Sequence, residues 1–170
     1  MHDNIQKTMD EFEAHVPCSD AAYLVLKAHL VVELRLLEFI KARTTPELFK
    51  EIERQREGAF NVKLLLARVL AERDEIPQDN ANILWLALDK LGKLRNDVAH
   101  ILVHKGTSLE DKMCDFVKIV DPMGELFGQS IPAPDLLRSF RLAASYLNSL
   151  LTISCVPLLI SDELVVPFNG

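Results

Sequence analysis

Residues 21–43 read AAYLVLKAHLVVELRLLEFIKAR, and this stretch decides the fold. Its apolar residues (Tyr23, Leu24, Val25, Leu26, Leu30, Val31, Val32, Leu34, Leu36, Leu37, Phe39 and Ile40) spread over most faces of a helix rather than along one stripe. Ser19-Asp20 supplies a cap signal before it, and the helix closes ahead of Pro46. A helix that is apolar on most sides sits centrally, covered by several neighbours. Outward from it the helical period recurs. Pro46 suits the first turn of a short helix reaching about residue 57, which Gly58 breaks. A third helix, with Phe60, Leu64, Leu65, Val69 and Leu70, runs to about residue 73, and 76–79 is a turn. The pattern predicts a long helix over 80–103, another over 109–120 and a Pro- and Gly-rich loop over 121–135. A last helix spans 136–154, before a tail whose two prolines argue against its continuing. The expectation is an all-α bundle of about five to seven helices forming one domain over 1–170. It has an N-terminal segment, 1–20, and a short irregular C-terminal arm, 156–170.

Composition narrows the function. The 170 residues are 49% hydrophobic, which excludes intrinsic disorder and supplies a core. A net charge of −6 argues against broad binding to duplex nucleic acid, which needs a basic face, but leaves room for a small anion site. Cys18, Cys114 and Cys155 are odd in number and far apart, so neither a disulfide framework nor a Cys-rich zinc site is expected. The opening MHDNIQKTMDEF has no apolar signal region, and no apolar run approaches the ~20 residues of a membrane span. A soluble, cytoplasmic protein with no membrane contact and no cofactor is the expectation.

The chemically informative stretch is LGKLRNDVAH, 91–100. On a helical wheel Leu84, Ala87, Leu88, Leu91, Leu94, Val98 and Leu102 form a core sector, and Arg95 falls inside it. A buried arginine needs a partner. On the central helix His29 and Glu33, spaced i, i+4, lie on an inward stripe, so Glu33 is the expected partner of Arg95, with His29 beside it. This pair reads either as support for a site or as a structural core ion pair. His100 lies on the opposite side of its helix, near Trp85, Asn96, Val103 and His104. A helix with two apolar faces is covered on both, and a second copy of the chain is a simple cover.

Arg95-Asn96 followed by Ala99-His100 fits the R-x4-6-H pattern of HEPN domains, the "higher eukaryotes and prokaryotes nucleotide-binding" superfamily. Together with KAHLVVELRLLEFI, the Phe60-Asn61-Val62-Lys63 step and the run ending LGKLRNDVAH, the chain resembles a prokaryotic HEPN-like subgroup over about 21–103. The resemblance implies a helical homodimer whose shared cleft is a metal-independent endoribonuclease site for single-stranded RNA, of toxin or defence type, with an antitoxin as a partner. It assigns Arg95 to the scissile phosphate, His100 to general acid–base catalysis and Asn96 to orienting the imidazole or the phosphate. The implied product ends in a 2′,3′-cyclic phosphate. Arg95 and His100 stand ~140° apart on an ideal helix, so their convergence needs a bent helix end or a second protomer. The chain is more distantly similar to the mannitol operon repressor, which implies the alternative of a non-catalytic regulatory module working through protein contacts.

Other chemistries have less support. His100 and His104 have a zinc-compatible i, i+4 spacing but no HExxH companion, so no metal site is expected. His104, His2 and His15 read as surface residues, and Trp85 as core or interface. Neither a nucleophile elbow nor a Gly-rich phosphate loop is present. The charges of 51–57 suit a solvated helix face.

Overall fold

The computed structural model describes Ala14 and residues 20–54, 60–73, 78–100, 108–121 and 136–161. They form six helices: α1 (Ala21–Lys41), α2 (Pro46–Arg54), α3 (Phe60–Arg73), α4 (Gln78–Ala99), α5 (Leu109–Val120) and α6 (Leu136–Ser161). With no strand among the described residues, the architecture is the expected all-α bundle.

Local chemistry sets the helix ends. Asp20 takes an extended conformation (φ −147°, ψ 133°), and its Oδ1 accepts the Tyr23 N–H at 2.7 Å, satisfying a donor that α1 leaves open. At the other end the Ala42 N–H donates to Glu38 O and the Arg43 N–H to Ile40 O, both at 3.0 Å. Thr45 Oγ1 then accepts the Leu48 N–H at 3.3 Å, with Pro46 in the first turn of α2. Ser108 caps α5 through the Asp111 N–H at 3.1 Å, as its sequence predicts.

Helix α1 is central and touches each of the other five helices. Leu24, Val25, Ala28, Val32, Leu36, Phe39 and Ile40 are all fully buried, each large one worth about 1.5–3 kcal/mol of transfer free energy. Phe116 and Phe140 pack at 4.9 Å between α5 and α6. The surplus apolar residues of α1 are not covered: Tyr23, Leu26, Leu30 and Leu34 are exposed, as are Val62, Leu65 and Val69 of α3. On α4 the second face is partly covered by the chain itself. Trp85 is buried and meets Phe39 edge-on at 6.3 Å, so it belongs to the core rather than to a surface awaiting a second copy.

Two boundaries depart from the sequence reading. Helix α4 ends at Ala99, and His100 lies in a turn; Ile101 to Val103 fall outside the described residues. Helix α6 does not stop near residue 154 but runs through Pro157 to Ser161. A proline removes one amide donor and crowds the carbonyl four residues back, costing about 3 kcal/mol, which a helix can absorb as a local bend. The loop over 122–135 and the tail beyond 161 lie outside the described residues. No helix of the described residues is long and apolar enough to cross a membrane.

Candidate functional site

The C-terminal end of α4 carries Arg95, Asn96 and His100, and all three are exposed. Burial along α4 explains why Arg95 is not the core residue its wheel position predicts. Leu84, Leu88, Leu91 and Leu94 are buried on that sector, and past Leu94 the cover thins, Val98 being only half-buried against the core. One residue past Leu94, Arg95 keeps its charge in water and carries none of the cost of a buried cation. Its Nη1 donates to Asn96 Oδ1 at 3.2 Å, which orients the guanidinium beside the amide. The His100 N–H is shared between Asn96 O at 3.0 Å and Asp97 O at 3.2 Å, a three-centre bond typical of a tightening last turn. Asp97 Oδ2 accepts from Lys112 Nζ at 2.8 Å, tying this end of α4 to α5.

Behind these residues three helices meet in a part-buried polar cluster. An added Cβ at Gly92 would come within 2.8 Å of Phe60 Cδ1, so the Phe60 ring lies directly on α4. That ring also packs against His29, with centroids 4.5 Å apart and planes tilted by 52°. His29 Nδ1 is 3.7 Å from Glu33 Oε2, and Glu33 Oε1 accepts from Lys63 Nζ at 2.5 Å. The pairs Phe39–Trp85 and His29–Phe60–Gly92 set α1 antiparallel to α4. One turn past Gly92, Arg95 therefore falls toward the N-terminal end of α1.

The expected Glu33–Arg95 ion pair is therefore corrected. Glu33 does take part in an ion pair with His29 beside it, but its cation is Lys63 of α3. Sequence reasoning passes over Lys63 because the register of α3 against α1 is tertiary. The available signal is the spacing of Phe60 and Lys63, which places a ring and an ammonium one turn apart on a single face.

His29 is 6% exposed, and burial lowers its pKa from 6.5. Glu33 opposes that shift, while the positive charges of Arg95 and Lys63 reinforce it, which places Arg95 within electrostatic reach of the ring. His29 is thus held neutral at neutral pH. Its Nε2 is buried with no hydrogen-bond partner among the described residues.

Among the described residues no group of three His, Cys, Asp or Glu side chains is arranged to hold a metal ion. His2, His15 and His104 lie outside the described residues, and Cys114 is a half-buried free thiol. Comparison with protein-family models, with curated proteins and with solved structures finds no match to this chain.

Proposed function

We propose that this chain is a HEPN-like, metal-independent endoribonuclease that works as a homodimer on single-stranded RNA. The observation that supports it most is the state of Arg95: exposed, hydrogen-bonded to Asn96, and leaving Glu33 to Lys63. A free guanidinium beside an amide, one turn from an exposed imidazole, suits a phosphodiester. In this reading Arg95 donates to two non-bridging phosphate oxygens and stabilises the charge that grows on them. One His100 takes the proton of the ribose 2′-OH as its oxygen bonds phosphorus. The other protomer's His100 protonates the 5′-oxygen as the P–O bond breaks. A 2′,3′-cyclic phosphate and a 5′-hydroxyl result. Placing His100 in a turn rather than on a straight helix suits convergence with Arg95, and a second protomer supplies the remaining group.

Pairing of two copies has a surface to use in the exposed leucines of α1 and the exposed apolar row of α3. The same surface favours a second reading, a non-catalytic regulatory module that binds another protein, as the similarity to the mannitol operon repressor implies. Expression in a bacterial host separates the two. Growth arrest by the wild type, relieved by both Arg95→Ala and His100→Ala, is the expected outcome. Equal growth of all three soluble proteins would set the nuclease reading aside in favour of the regulatory one.

A further inference from the structure

The cluster behind Arg95 poses a question of charge. Glu33 is a part-buried carboxylate, with its side chain 23% exposed, and Lys63 is more buried still at 13%. A carboxylate in such a place takes a cation, because leaving it unpaired costs its desolvation in full. Two cations act on this region from different helices, Lys63 of α3 and Arg95 of α4, and both influence the neighbouring His29 ring. Only Lys63 is engaged with Glu33, in a short direct bond. Arg95 turns instead to Asn96 at the exposed helix end.

We infer that Lys63 is a positioning residue for Arg95: by neutralising Glu33 from α3 it removes a carboxylate that would otherwise draw the guanidinium inward, and leaves Arg95 free for an anion. The inference rests on the reading of Arg95 as a phosphate ligand. Its geometry is a chain of contacts across three helices. Lys63 lies one turn along α3 from Phe60, Phe60 rests on Gly92, and Arg95 is the next turn of α4. His29, beside Glu33, packs on the Phe60 ring and lies within electrostatic reach of Arg95.

An ordinary structural ion pair makes a symmetric prediction, since removing either partner destabilises the bundle. A positioning role makes an asymmetric one. With Lys63→Met, Glu33 loses its cation and captures Arg95. With Glu33→Gln there is nothing to capture it. The test follows the Arg95 Nε–Hε signal by NMR in the full-length protein while inorganic phosphate is added. The wild type, Lys63→Arg and Glu33→Gln should respond alike. Lys63→Met should need at least about tenfold more phosphate, the size of effect typical of coupled neighbours, and its Arg95 signal should show contact with Glu33 before any phosphate is added. The double variant Lys63→Met/Glu33→Gln should return to the wild-type response, and it also keeps the test open should Lys63→Met fold poorly. A wild-type Arg95 signal in Lys63→Met would overturn the inference, as would a double variant no better than the single one. Failure of the nuclease reading looks different: the wild-type Arg95 signal then ignores phosphate, while contact with Glu33 in Lys63→Met still reports on the positioning role.

Discussion

Arg95 shows how one residue's surroundings decide its use. Its place on the wheel is that of a core residue, yet the cover over α4 thins past Leu94, and the charge stays in water. The wheel gives the direction of a side chain but not where the bundle stops. Gly92 is the reverse case, a small residue whose reason is visible only in three dimensions. Gly92→Ala puts a Cβ 2.8 Å from Phe60 Cδ1, and the Phe60 ring also packs against His29. Crowding of this kind costs about 1–3 kcal/mol, against roughly 1 kcal/mol gained in helix propensity. Urea unfolding should show Gly92→Ala to be destabilised, and less so in a Phe60→Leu background. His29 gives the bundle a pH dependence of known sign. Burial first, then Arg95 and Lys63, lower its folded-state pKa below 6.5, while Glu33 pulls the other way. Between that lowered value and 6.5 the unfolded chain binds more protons than the folded one. The contribution is whole above 6.5 and is lost as pH falls through the window. Stability measured from pH 7.5 to pH 5 should fall less steeply in His29→Leu than in the wild type.

At the scale of the helices, much of the architecture is legible in the sequence, because apolar period and caps are local signals. The bounds of α1 follow from Ser19-Asp20 and from the approach to Pro46, and those of α5 from Ser108. Asp20→Ala removes the acceptor of the Tyr23 N–H and should lower the unfolding free energy by about 0.5–2 kcal/mol, with Asp20→Asn close to the wild type. Less legible is how far a helix continues through a proline. The cost of Pro157 is local, whereas the reason α6 persists to Ser161 is not written in the residues beside it. Least legible is which helix supplies a partner. His29 and Glu33 declare themselves by spacing on α1. Lys63 is 30 positions away in sequence, and no pattern within α1 or α4 points to it.

For the whole molecule, a net charge of −6 argues against a broad basic face, so under the proposed function contact with RNA has to be local. The structure places an exposed guanidinium, amide and imidazole at one end of one helix and commits the neighbouring carboxylate elsewhere. Under the proposed function, the uncovered leucines of α1 give a second copy a surface to occupy. On that proposal, an acidic, apolar-rich chain would act as a nuclease by pairing two small cationic ends. The most direct test is cleavage of a single-stranded RNA by purified protein in the presence of EDTA. The account predicts that the wild type releases fragments ending in 2′,3′-cyclic phosphate, and that Arg95→Ala and His100→Ala each slow this by about 10²–10⁴-fold without loss of fold. A folded wild type that leaves every single-stranded RNA intact, or cleavage undiminished in both variants, would contradict it.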